Sequence, residues 1–363
     1  MSRLLFPACL FALAQLPFSL HAAEDGKAVT SLADVDEDFQ VQGEYLGSIV
    51  DERCRCQPVG LQVVAMGKGD FTAVEYEGGL PGYGWKIDGG RAKYAGKRDG
   101  DKVVLTGDKK QIEIQNGQAT IKTVGEYRTL GAASHVERES GTMGACAPCG
   151  AVVLFDGTNT DKFKNGKMTE DQLLVEGTET AIGYGDMRLH LEFRLPYMPL
   201  ARGQGRANSG IYVQGRYEVQ ILDSFGLDGE FNECGSLYRE RKPDLNMCLP
   251  PLAWQTYDIW FRGPRFGEDG KKTENARFTV WLNGVPVQDD VEMPSGTGAG
   301  KRVGEGTNPL PTKLQNHSNP VRFRNIWLVE TGQATTATAK TVAGVGSANP
   351  EIAAILKSIG YVR

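Results

Sequence analysis

The stretch NSGIYVQGRYEVQILDS, residues 208–224, sets amides, a phenol and a carboxylate beside an apolar row. Ile211, Val213, Val219 and Ile221 alternate with Tyr212, Gln214, Glu218 and Gln220, and Asp223 follows. Period-two alternation predicts two strands with unlike faces. A two-residue loop, Gly215-Arg216, would set Val213 opposite Glu218 and bury a carboxylate against the core. A three-residue loop, Gly215-Arg216-Tyr217, pairs Gln214 with Glu218 and Tyr212 with Gln220, which places all four polar side chains on one face. An ordinary solvated sheet face is the competing reading. Solvated faces favour Lys, Glu and Thr, however, whereas Tyr, Gln and Glu in a row suit sugar hydroxyls and the apolar side of a ring.

A second cluster comes near the end. In NPVRFRNIWL, Val321, Phe323 and Trp327 share one face and Arg322 and Arg324 the other. Two guanidiniums two residues apart need anionic or carbonyl partners, which Glu218 or Asp223 could supply. Just before them, LQNHSNP contributes Gln315 and His317. His317, at a loop-to-strand junction, is a candidate for chemistry; His190, at a regular position in MRLHLEF, reads as structural. Between Asp223 and Trp254 runs a long segment without a clear strand, carrying Glu233, Tyr238, Arg239 and Asp244. Loops that long in a compact domain tend to be lids or binding loops.

These residues need a scaffold of strands. VVLFDG, MRLHLEFRLP, SGIYVQG, YEVQILDS, WQTYDIWFRG, ARFTVWLNG and NPVRFRNIWLVE recur at even spacing over residues 151–332, which predicts a two-sheet sandwich or jelly roll. Residues 24–139 read as a separate, small β-rich domain with hairpin turns at MGKGDF and QNGQ. Neither its Gly-rich loop EGGLPGYGW nor His135 signals chemistry. Residues 140–150, SGTMGACAPCG, read as a linker with cysteines. Residues 333–363 read as a small-residue linker and a short C-terminal helix, with Asn349 as cap and Pro350 at the first helical position.

The first 23 residues, one Arg followed by an apolar run and small residues, read as a secretory signal peptide. The predicted compartment is therefore extracellular or periplasmic, with no integral membrane segment in the mature chain. A formal net charge of −5 without a basic stripe argues against nucleic acid as a partner. Six cysteines remain after the leader. In an exported chain they predict disulfides, Cys234 most simply with Cys248, while pairing among Cys54, Cys56, Cys146 and Cys149 stays open. A zinc site from CRC and CAPC is the rival reading.

Taken together, VLFDGTNTDKFK, ARGQGRANSGIYVQGRYEVQILDSFG, NECGSLY, LNMC, WQTYDIWF, ARFTVWLNGVPVQDDV and LQNHSNPVRFRNIW resemble the 3-keto-disaccharide hydrolase family, over about residues 151–330. The resemblance implies an all-β concanavalin A-like jelly roll, here preceded by the small all-β domain. It also implies an oxidised carbohydrate substrate, a glycoside whose sugar carries a ketone at C3. That ketone acidifies the C2 hydrogen; a base removes it, the C1 substituent leaves, and water then adds. Such a site needs a base and donors facing the enolate. On the matching positions, His317 or Glu218 would be the base and Arg322 and Arg324 would stabilise the enolate. Asn208, Tyr212, Gln220, Asp223 and Gln315 would bind the sugar, and Tyr238 would cover it. A divalent cation held by Glu218, Asp223 and His317 could polarise the keto-enol pair, although the odd separation of 218 and 223 counts against it. The stretch EVQILD lacks the evenly spaced carboxylates of a retaining glucanase. The alternative from another class is a non-catalytic extracellular carbohydrate-binding protein.

Overall fold

The computed structural model describes residues 27–331 except Glu52. The leader and the C-terminal helix expected from the sequence lie outside the described residues.

Eight antiparallel strands close into a barrel: Gly43–Val50, Cys56–Gly67, Asp70–Glu77, Arg91–Asp99, Lys102–Thr106, Lys110–Gln115, Gln118–Thr123 and Thr129–Val136, the last pairing with the first. Closure removes the free edges that short strands would otherwise expose. Its tight turns fall at Lys68-Gly69 and Asn116-Gly117, all four with positive φ, the left-handed backbone that the two predicted hairpin turns require. Tyr45, Leu61, Val63, Phe71, Leu105, Ile112 and Ile121 fill the interior.

The second domain is a jelly-roll sandwich of two antiparallel sheets. A five-stranded sheet runs Phe163–Lys164, Thr178–Thr180, Lys313–Leu314, Ser209–Val213, Tyr217–Ile221. A seven-stranded sheet runs Leu174–Val175, Arg322–Glu330, Met187–Arg194, Trp254–Arg262, Ala276–Leu282, Val285–Met293, with Val152–Phe155 also against Arg322–Glu330. The core lies between them. Ile211, Val213, Tyr217, Val219 and Ile221 face Leu191, Phe193, Tyr257, Phe278 and Phe323 across it. The alternating polar residues of both sheets must therefore point outward, on opposite sides of the molecule.

The hairpin register differs from the sequence expectation by two residues. Val213 pairs with Tyr217, Tyr212 with Glu218 and Gly210 with Gln220, so the loop is Gln214-Gly215-Arg216. Gln214 and Gly215 both take positive φ, which drives the tight reversal one residue earlier. Gln214 thereby leaves the strand face. Its amide donates to Tyr184 O at 2.9 Å, and its oxygen accepts from Arg216 Nη1 at 2.8 Å.

The cysteines do not join: all six described ones are free thiols. Cys234 and Cys248 are buried neighbours sharing a thiol hydrogen bond, and the Cys234 sulfur also meets Tyr257 Oη at 3.3 Å. The two domains meet through several anchors. Val64 of the barrel joins the sandwich core, Arg202 Nη2 donates to Met66 O at 2.9 Å, and Asp228 pairs with Arg91 and Lys93 at 3.0 and 2.9 Å.

Candidate functional site on the outer face of the five-stranded sheet

Tyr217–Ile221 is the last strand of its sheet, yet its backbone is not bare. Residues 236–238 add a short extension, with Gln220 N donating to Ser236 O and Tyr238 N to Glu218 O, both at 3.0 Å. On the same residue, Glu218 N donates to Thr297 Oγ1 at 2.6 Å. Glu218 is thus fixed by its backbone from both sides. Leu237 pairs with Val219 and points into the core, which leaves Ser236 and Tyr238 on the outer face beside Gln220 and Glu218. On the other side, Tyr212 pairs with Lys313, and Gln315 N donates to Gly210 O at 2.9 Å.

The centre of this face is a glycine for a spatial reason. A Cβ on Gly210 would lie 2.5 Å from Glu218 Oε1 and 3.1 Å from its Cγ. The carboxyl leans over the space where a side chain would otherwise stand. It is 2% exposed, and burial pushes its pKa up to about 7, against a smaller lowering by a hydrogen bond from the Tyr212 hydroxyl. The Tyr212 phenol is itself pushed up, first by burial and then by the Glu218 charge.

Around this carboxyl, polar oxygens lack partners. Glu218 Oε2, Gln315 Oε1, Asn208 Oδ1 and Ser236 Oγ are all buried without a hydrogen bond. A buried unpaired acceptor costs about 1–3 kcal/mol, so these four need donors from ordered water or from a ligand's hydroxyls. The wall beside them is pre-organised. Asn208 Nδ2 donates to Gln204 O at 2.8 Å, Gln220 Nε2 to Gln204 Oε1 at 3.1 Å and Gln204 Nε2 to Asn232 O at 2.8 Å. A Cβ at Gly298 would stand 3.0 Å from the Tyr238 ring and 3.7 Å from Glu218 Oε2, so the 297–298 turn and half-buried Tyr238 form the roof. A cavity of about 730 Å3 lies elsewhere, at one end of the barrel. Chemistry here rests on the buried carboxyl and its orphaned neighbours, not on an open cleft.

The structure gathers Glu218, Tyr212, Gln220, Gln315, Asn208 and Tyr238 into one neighbourhood. Other expected members fall away. Arg322 and Arg324 stand on the outer face of the seven-stranded sheet, with the whole core between them and Glu218. Their partners are local to that side: Glu176 Oε2 for Arg322 and Glu192 Oε2 for Arg324, each at 2.6 Å. Arg324 also lies 3.9 Å from the Trp254 ring centroid, a cation–π contact that orders it further. Asp223 is consumed by a buried ion pair, accepting from Arg206 Nε at 2.6 Å. His317 is exposed in the loop after Gln315 and makes no hydrogen bond among the described residues. The cation set Glu218, Asp223, His317 therefore does not come together, and no group of three such ligands occurs among the described residues.

His190 anchors a different cluster, behind the arginines. Its Nδ1 meets Asp258 Oδ1 at 2.7 Å, and its ring stacks on Trp327 at 5.0 Å between centroids. Burial pulls its pKa down, but hydrogen bonds to Asp258 and Glu192 prevail and hold it at about 9. Gly144 N and Thr142 Oγ1 donate to Glu192 and Asp258, both at 2.7 Å. The cluster fastens the linker 140–145 onto the sheet.

Sequence reasoning missed Lys313, the cation on the face of Tyr212, along with Ser236, Thr297 and Gln204. The signal for Lys313 was its place two residues before Gln315 in a strand of only two residues, too short to show a period.

No curated protein matches the chain. Among solved structures, a candidate glycosyl hydrolase from Parabacteroides distasonis ATCC 8503, determined at 2.13 Å, is 31% identical, with 51% of this chain and 85% of that one covered and a TM-score of 0.45. A second candidate glycosyl hydrolase from the same organism, at 1.70 Å, is 17% identical, with 50% and 94% covered and a TM-score of 0.36. Residues 150–329 match the model of the 3-keto-alpha-glucoside-1,2-lyase-like domain. That segment is the sandwich that carries Glu218 and its neighbours, and this domain belongs to the 3-keto-alpha-glucoside-1,2-lyase-like family.

Proposed function

We propose that the outer face of the five-stranded sheet cleaves 3-keto-glycosides, with Glu218 as the base. The family makes this domain a glycoside-cleaving enzyme; the assignment of roles rests on the face itself. The observation that carries it is the buried Glu218 carboxyl, raised to about 7 and surrounded by unpartnered oxygens.

A base is most effective with a pKa near the working pH. Glu218 takes the C2 proton of the 3-keto sugar, the electron pair forms the C1–C2 double bond, and the C1–oxygen bond breaks to release the aglycone. The released alkoxide takes a proton from the Tyr238 hydroxyl or from water. Water then adds across the new double bond, its hydroxyl to C1 and its proton to C2, so the net reaction is hydrolysis. Lys313, cross-strand from Tyr212, takes over the charge stabilisation that the arginines cannot give from the far side. Gln315, Asn208 and Ser236 accept sugar hydroxyls. Work on an exported substrate, outside the cell or in the periplasm, fits the leader read in the sequence.

Incubation with a 3-keto-disaccharide and with its unoxidised parent, followed by mass spectrometry, tests this. The expected result is cleavage of the keto form alone. Cleavage of neither, with retained binding, would leave a non-catalytic carbohydrate-binding protein.

A further inference from the structure

The barrel holds a cavity that the reaction on the sandwich does not use. It opens where the tip of the first hairpin meets the turns around 107–110 and 123–128, and has a volume of about 730 Å3. Binding sites for small ligands span roughly 300–1,000 Å3, so the space suits an oligosaccharide of a few rings. Glu75 lies at its floor and is 2% exposed. Its two oxygens accept from Lys110 Nζ at 2.5 Å and Tyr94 Oη at 2.7 Å. Carboxylate oxygens keep lone pairs beyond these two bonds, so the ion-paired floor can still accept a hydroxyl.

The rim has the opposite character. Arg53, Lys109 and Arg128 line it without an ion pair among the described residues, beside Glu77 and an Asp51–Arg55 pair at 2.8 Å, in a chain of formal net charge −5. Two of these cations sit on one hydrogen-bonded unit. Val124 N donates to Lys109 O at 3.0 Å, Thr123 N to Arg128 O at 2.9 Å and Arg128 N to Thr123 Oγ1 at 3.0 Å. Among the described residues no aromatic side chain lines the mouth, where a nucleobase would need one to stack on.

We propose that the barrel mouth binds an acidic oligosaccharide, with hydroxyls on the Glu75–Lys110 floor and carboxylate or sulfate groups on the Lys109–Arg128 rim. Guanidinium and ammonium donors on a rim recognise either anion, and the hydroxylated body separates such a ligand from inorganic anions.

The test is calorimetric titration of the full-length protein with tetragalacturonate, sulfated cellotetraose and neutral cellotetraose. At least one acidic ligand is expected to bind about tenfold or more tightly than the neutral one, and to weaken as salt rises. The tighter of the two identifies the anion. Lys109→Gln/Arg128→Gln, at two exposed positions, is expected to weaken acidic binding about tenfold, keep the thermal midpoint and leave 3-keto-disaccharide cleavage unchanged. Equal affinity for the neutral sugar, full competition by equimolar inorganic sulfate, or an unaffected double variant would overturn the proposal. None of these outcomes bears on Glu218.

Discussion

Glu218 carries an energetic burden that only a function explains. A carboxyl with a folded pKa raised to about 7 prefers its neutral form in the native state. Its charging therefore works against folding: stability falls as pH climbs from the unfolded value near 4.3 to about 7 and stays lowered above that. Replacing it with the isosteric amide removes this term. Glu218→Gln is expected to unfold at a higher temperature than the parent at pH 8, by roughly 4 kcal/mol of stability at most, and at nearly the same temperature at pH 4. Calorimetric melts at the two pH values check it. A variant less stable at pH 8 would mean that the charge has a partner in the native state. Arg324 shows the contrary case: its charge is matched by Glu192 and a tryptophan ring.

At the scale of the element, parity was legible and placement was not. The alternation of Ile211, Val213, Val219 and Ile221 with Tyr212, Glu218 and Gln220 gave the inward and outward faces directly, because a strand admits no other period. The turn comes one residue earlier than expected, and the pairing shifts by two, because Gln214, not only Gly215, adopts the left-handed backbone. The demand of Arg322 and Arg324 for anions was also legible, but their partners, Glu176 and Glu192, lie more than a hundred residues away in sequence. Nothing local distinguishes them from Glu218. Gly210 shows what a glycine inside a strand can mean, an opening kept for another side chain. Gly210→Ala puts a methyl 2.5 Å from Glu218 Oε1 while leaving the strand's backbone angles allowed. We expect a loss of 3-keto-disaccharide turnover of about 10²-fold with a modest fall in melting temperature. Turnover at the parental rate would show that the carboxyl has room to spare.

For the whole molecule, the sandwich separates two polar faces by one apolar core. The seven-stranded sheet's outer face is a structural seam, where His190, Asp258, Glu192 and Arg324 hold the linker. The five-stranded sheet's outer face keeps its oxygens unpaired, and the barrel braces its wall, since Arg202 and Arg206 beside Gln204 and Asn208 reach Met66 O and Ala65 O. A jelly roll was readable from strand spacing, but strand order, and hence which polar row lies on which side, arises from pairings such as Leu314 with Ile211 that no short segment encodes. The decisive measurement compares turnover of a 3-keto-disaccharide by Glu218→Gln and by Arg322→Gln/Arg324→Gln. Loss of about 10²–10⁴-fold in the first, with turnover within a few-fold of the parent in the second, is the predicted result. An active Glu218→Gln beside an inactive arginine pair would place the chemistry on the other side of the sandwich and contradict this account.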